Sequence, residues 1–98
     1  MSKVILINPF EVPEGREDEC LKMWEGAAAY MRAQPGFVNT KLHRAAAPGA
    51  KFHFINVSEW KSAEDFQAAI STEEFQKLTA GSMEAFPHFP GLYEIIRD

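Results

Sequence analysis

Val4-Ile5-Leu6-Ile7-Asn8-Pro9-Phe10-Glu11-Val12 is the stretch on which the fold turns. Its β-branched and aromatic residues read as a strand. It is apolar on both alternating faces, with Val4, Leu6, Phe10 and Val12 on one and Ile5 and Ile7 on the other. A strand with one face in water alternates apolar with polar residues. Two apolar faces call for two covering layers. A chain of 98 residues is one domain, taken as 1–98, and it offers helices for only one of those layers. A second copy of the same sheet is therefore the expected cover for the other.

Outward from this strand, Pro13-Glu14-Gly15 is a turn. Arg16 to about Gln34 has helical spacing, with Leu21, Trp24, Ala28 and Met31 on one stripe and Ala27 and Tyr30 beside it. Glu17, Asp18 and Glu19 suit the positive end of the helix dipole, and Pro35-Gly36 ends the helix. Phe37 to Arg44 and Phe52 to Trp60 read as strands joined through Pro48-Gly49, a type II turn signal. On the later strand Phe52, Phe54, Asn56, Ser58 and Trp60 share a face, while His53, Ile55, Val57 and Glu59 take the other. Ser62 is placed to cap a second helix carrying Phe66, Ala69 and Ile70 inward. Ser71-Thr72-Glu73-Glu74 has capping-box spacing and predicts a restart with Phe75 and Leu78 inside. Ala80 to Gly91 reads as a loop, and Leu92 to Ile96 as a last strand. The order βαββαβ predicts a ferredoxin-like α+β protomer: an antiparallel sheet with both helices on one face. The face left bare again asks for a homodimer.

Composition narrows the function. The net charge is -4, hydrophobic residues make up 46% and charged residues 24%, as in an ordinary globular chain. With no Lys/Arg cluster, neither nucleic acid nor an anionic membrane surface is an expected partner. Cys20 is the single cysteine and has no internal disulfide partner, which suits a reducing compartment. The first apolar run stops at Asn8-Pro9, short of a signal peptide or a span of about 20 apolar residues. A cytoplasmic location is the expectation. No HExxH, Gly-rich phosphate loop or Cys/His pair appears. His43 and His53, symmetric about the hairpin turn, are too few to make a metal site.

Four segments taken together resemble the antibiotic-biosynthesis-monooxygenase family over nearly the whole chain. They are Asn8-Pro9-Phe10-Glu11-Val12-Pro13-Glu14-Gly15, then Pro35-Gly36-Phe37, then a hairpin, then Glu59-Trp60-Lys61-Ser62-Ala63-Glu64-Asp65-Phe66. The resemblance implies a dimeric α+β barrel with a pocket between each subunit's helices and its own sheet. The family is chemically diverse, so membership alone does not set the reaction. One branch oxidises phenolic polyketides to quinones with dioxygen and no cofactor, and its Asn and Trp four residues apart on the third strand look like Asn56 and Trp60. A haem-degrading branch has a strand-one Asn at the place of Asn8 and a first-helix aromatic at that of Trp24. Its His ligand would fall at Leu78 or Thr79, and its second Trp near Ala69, so haem is disfavoured. A branch acting on small quinols or sugar-derived signals often has a His early in its second helix, where this chain has Gln67, Ala68 and Ala69.

The candidate catalytic residues are then Asn8, Asn56, Trp60 and His88. Asn8 interrupts an apolar strand, and a buried amide needs partners: either a ligand oxygen or nearby backbone. Asn56 is suited to hold a developing oxyanion, with Trp60 as pocket wall or as a seal at the strand-to-helix corner. His88, in Phe86-Pro87-His88-Phe89-Pro90, is suited to act as a general base, or it is a surface residue. Trp24, Tyr30, Met31 and Phe66 are expected to bind substrate, since ligand cavities are mostly apolar; the same stripe also serves as core. The expected activity is a cofactor-independent monooxygenase acting with dioxygen on a small aromatic, phenolic or quinol-like compound. The alternatives are a haem protein of the same fold or a non-catalytic binding dimer.

Overall fold

The computed structural model describes residues 3–81 and 85–98. It contains β1 (Val4–Phe10), α1 (Glu17–Arg32), β2 (Phe37–Arg44), β3 (Phe54–Trp60), α2 (Ala63–Ile70), α3 (Glu73–Thr79) and β4 (Gly91–Tyr93). The four strands form one antiparallel sheet in the order β2-β3-β1-β4, the ferredoxin-like arrangement expected from the sequence. The helices pack on the face that carries Val4, Leu6 and Phe10 of β1 and Phe54, Ser58 and Trp60 of β3.

Local chemistry explains the element ends. Ser62 accepts a hydrogen bond from the Asp65 amide at 3.1 Å and caps α2, as its position before Ala63 predicts. The α3 cap falls on Thr72, which accepts from the Phe75 amide at 3.0 Å. The predicted Ser71 cap is thus one residue off, and Ser71 instead closes α2 by donating to the Gln67 carbonyl at 2.6 Å. Leu78, expected inside, is 42% exposed, because α3 turns only Phe75 and Thr79 inward. Gly36 ends the turn after α1 at φ +86°, and any Cβ there would run into the Asp65 side chain.

Two strands end sooner than the pattern suggests. β1 stops at Phe10, and the Glu11 amide donates to the Pro87 carbonyl instead. β4 pairs only with Ile5 to Ile7 and ends at Tyr93, short of the Ile96 that the apolar pattern suggests. Ile95 and Ile96 are 65% and 76% exposed. Of the predicted Ala80 to Gly91 loop, residues 82–84 lie outside the described residues. His43 faces Ile55 across the hairpin rather than His53.

β2 carries a bulge between Phe37 and Asn39. Strict alternation from Phe37 would turn Asn39 and Lys41 toward the helices. The extra residue, Val38, shifts the phase, so Thr40 pairs with Ser58 and Leu42 with Asn56. Bulges characteristically re-aim side chains in this way.

The buried side chains form two clusters. One joins Val4, Leu6 and Trp60 to Phe66 and Ala69 of α2. The other joins Phe10 and Phe54 to Cys20 of α1 and to Phe86. The middle residues of the central strands, Asn8 and Asn56, belong to neither.

Candidate active site

A cavity of about 200 Å³ lies where the two clusters leave a gap, lined by members of both. Leu6, Asn8 and Phe10 of β1 and Asn56, Ser58 and Trp60 of β3 form its floor. Asn8 and Asn56 are Cα partners across the β1–β3 ladder, and both turn to the helix side, as the alternation of the two strands predicts. Trp24 and Met31 of α1 and Phe66 of α2 face them, and Phe75, Thr79, His88 and Pro90 complete the wall.

The two amides differ in their hydrogen bonds. The Asn8 Oδ1 is buried with no partner. The Asn56 Oδ1 accepts from the Thr40 hydroxyl at 2.7 Å, which turns the Asn56 Nδ2 away from Thr40 as a donor. An unpaired buried carbonyl oxygen is an uncompensated cost, on the order of 1–3 kcal/mol, in a protein interior. Its place in the wall of a cavity points to a ligand that would satisfy it.

Trp60 is 1% exposed. Its indole N–H donates to the Ser58 hydroxyl at 3.2 Å, and its ring meets Phe37 and Phe66 edge-on at 5.4 and 5.5 Å. With its donor engaged, Trp60 offers the cavity an apolar surface. His88 is the one ionisable side chain lining the cavity among the described residues. Its backbone bridges to Phe10, and the Phe89 amide donates to the Pro9 carbonyl at 3.1 Å. The ring stacks on Phe10 at 5.5 Å. Its Nδ1 lies 3.0 Å from the Phe86 carbonyl, which can only accept. Nδ1 therefore carries the hydrogen of the neutral ring, which makes Nε2 the acceptor nitrogen. Phe86, 1% exposed, lies under the Arg16 guanidinium at 5.0 Å, which ties this loop to the start of α1.

Tyr30, expected to touch substrate, stands apart from the cavity. Its hydroxyl donates to the Ala69 carbonyl at 2.8 Å and meets the Thr72 hydroxyl, fastening α1 to the α2–α3 junction. Thr40, not singled out from the sequence, does line the cavity. Only the bulge brings it there.

Haem does not fit these residues. A cavity of about 200 Å³ is a fraction of what a tetrapyrrole fills, Leu78 points to solvent, and Thr79 brings no imidazole. Among the described residues no group of three or more His, Cys, Asp or Glu side chains is placed to hold a metal ion, and no helix is long and apolar enough to cross a membrane.

The sequence model of the antibiotic biosynthesis monooxygenase family matches residues 3–81. The chain belongs to that family. Solved structures agree with this assignment. A proposed monooxygenase from Shewanella loihica PV-4 is 36% identical and superposes with a TM-score of 0.84, over 99% of this chain and 97% of that one. SnoaB, a cofactor-independent oxygenase from Streptomyces nogalater, is 22% identical with a TM-score of 0.85, over 100% of this chain and 97% of its own. Rv0793 from Mycobacterium tuberculosis is 13% identical with a TM-score of 0.82, over 99% and 98%. At the last two identities the likeness speaks for the fold alone. No curated protein matches the sequence.

Proposed function

We propose that this family member is a cofactor-independent monooxygenase. It oxidises a small phenolic or quinol-like compound with dioxygen in the helix–sheet cavity, and it works as a homodimer. The observation that carries the reading is the Asn8–Asn56 pair, two amides side by side in a mostly apolar chamber. Dioxygen and an aromatic ring favour such a chamber; the Asn56 N–H can hold a developing anion, and the Asn8 carbonyl can take a hydrogen bond from a substrate hydroxyl.

The chemistry needs no resident redox group because the substrate carries the reducing power. His88 Nε2 takes a proton from the substrate, and the Asn56 N–H holds the resulting oxyanion. The anion passes one electron to dioxygen, giving a substrate radical and superoxide. These join at carbon, and the proton held on His88 returns to make a hydroperoxide. Loss of water from that hydroperoxide leaves a carbonyl. In sum a phenol and O2 become a quinone and H2O: a ring C–H carbon ortho or para to the phenol oxygen becomes C=O, with every electron drawn from the substrate. Trp24, Met31, Phe66 and Trp60 keep the chamber dry and hold the ring.

The test is oxygen uptake with a panel of phenols, naphthols and quinols, together with 18O2 labelling of the product. One oxygen atom incorporated per O2 consumed, with uptake reduced in Asn56→Ala, is the expected result. Tight binding of panel members with no uptake would leave a binding protein instead.

A further inference from the structure

The opposed states of the two amides specify more than a phenol. The Asn8 Oδ1 is buried and unpartnered, and a carbonyl oxygen only accepts, so a ligand that satisfies it must donate. The Asn56 Oδ1 is already held by the Thr40 hydroxyl at 2.7 Å, so Asn56 presents Nδ2–H, and the ligand must accept there. The two residues are register partners on antiparallel strands, whose Cα atoms lie about 4.5–5.5 Å apart. The two contacts therefore fall on one edge of one ring. The cavity, about 200 Å³, lies below the range of roughly 300–1,000 Å³ typical for drug-sized ligands and suits one or two fused rings.

We propose that Asn8 and Asn56, with Thr40 setting the polarity of the second amide, read a vicinally dioxygenated aromatic ring: one oxygen donates its proton to Asn8 and its neighbour accepts from Asn56. This rests on the cavity being the substrate site. It narrows the substrate from phenols at large to molecules of the catechol type. Thr40 is a positioning residue here, brought beside Asn56 by the bulge at Val38.

The experiment is calorimetric binding without oxygen, using catechol and its dimethyl ether, 1,2-dimethoxybenzene. The ether keeps the ring and both acceptor oxygens but has no proton to donate to Asn8. In the wild-type protein catechol is expected to bind about tenfold more tightly, the consequence of leaving a buried acceptor unpaired in the ether complex. In Asn8→Leu, which removes the acceptor at similar volume, the ratio falls to near one. In Asn8→Asp, which keeps acceptor oxygens, catechol stays preferred. Thr40→Val releases the Asn56 amide and weakens both ligands several-fold, while Thr40→Ser restores them. Circular dichroism establishes that each variant is folded, and the wild-type ratio stands as a test if Asn8→Leu is not. Equal binding of the two ligands by the wild type, a preference that survives Asn8→Leu, or no binding of either overturns the proposal. Because oxygen is excluded, a preference lost in Asn8→Leu holds even if no turnover is ever found. Oxygen uptake with monophenols alone would keep the oxygenase reading and sink this one.

Discussion

The two faces of the sheet are made by the same strands and are incomplete in opposite ways. The helix-covered face is buried, yet its centre is polar: Leu6, Asn8 and Phe10 lie beside Ser58, Asn56 and Phe54. The opposite face has no helix over it among the described residues, yet its centre is apolar, with Ile7 paired to Val57 and Ile5 and Ile55 close by, all only half-buried. Tyr93 flanks this strip on β4, and the exposed Lys41 and His43 flank it on β2. Polar groups where water is excluded signal a small molecule that completes their hydrogen bonds. Apolar groups where water is admitted signal a protein surface that removes them from it.

The sharpest way to break this comparison is to put a charge on the uncovered face. If a second copy covers it, the interface should exceed about 1,000 Å² in total. Sedimentation should then give about twice the 11.0 kDa chain mass at micromolar concentration. Val57→Glu, opposite Ile7, would bury a carboxylate that has no partner. A cost of several kcal/mol per desolvated ion should shift the dissociation constant by at least about a thousandfold. A wild-type chain that sediments as a stable monomer would refute the reading of this face.

On the covered face the same logic predicts a loss of chemistry with no loss of assembly. Asn56→Ala should lower turnover by roughly tenfold to a thousandfold, the range seen when one oxyanion donor is removed, and Asn8→Ala by about tenfold, for the lost acceptor of the substrate's proton, while the sedimentation coefficient stays at the wild-type value. If the alanine variants instead dissociate or melt early with their activity per folded molecule intact, the amides are structural, and their assignment to a site must be withdrawn.

What the sequence disclosed of these faces follows from what alternation can carry. The doubly apolar run Val4 to Ile7 and the alternation of Phe54 to Trp60 were enough to place Asn8 and Asn56 on the same side, because nothing interrupts the period of two in either strand. β2 gave no such access to Thr40. The bulge at Val38 changes the phase, and a bulge is a property of pairing between strands that leaves no mark in the run Phe37-Val38-Asn39-Thr40. Tyr30 misled for a related reason. Helical spacing put it beside the inward stripe, but spacing does not show that its hydroxyl would find the end of α2 at Ala69 rather than open space. The short β4 was illegible because its length is set by pairing with β1, which ends at Tyr93 opposite Ile5, and not by the apolar character of Ile95 and Ile96.

A smaller perturbation sharpens the comparison by loosening only the covered side. Gly36 holds φ +86° against the Asp65 side chain, and its carbonyl accepts from the Lys61 amide at 2.8 Å, so it joins the end of α1 to the start of α2. Gly36→Ala meets both an unfavourable backbone conformation and a clash, and should cost about 1–3 kcal/mol. For a domain of this size that lowers Tm by roughly 4–8 °C per kcal/mol. Thermal unfolding indistinguishable from wild type would mean that this turn does not clamp the helices.

The smallest effect comes from Cys20, which reports whether water reaches the covered face. Its side chain is 1% exposed, in the cluster with Phe10, Phe54 and Phe86. Burial, with Glu19 nearby adding repulsion, pushes the thiol from its ordinary value of 9.0 up to about 11. The folded chain therefore holds this proton where the unfolded chain has released it. Below pH 9 both states are protonated and Cys20 adds no pH dependence. Between about pH 9 and 11 the unfolded state gains from ionising, so stability falls as pH rises, by about 1 kcal/mol at pH 10. Above about pH 11 both states are ionised and the loss levels off. Lysines and tyrosines titrate in the same range, so the measurement is a difference. Urea unfolding of wild type and of Cys20→Ala is followed from pH 8 to 11. The variant should start lower, for the lost packing, and the gap should narrow by about 1 kcal/mol by pH 10. A gap that stays constant would show that the thiol ionises as freely in the folded protein as in the unfolded chain, and that the helix-covered face is open to water at α1.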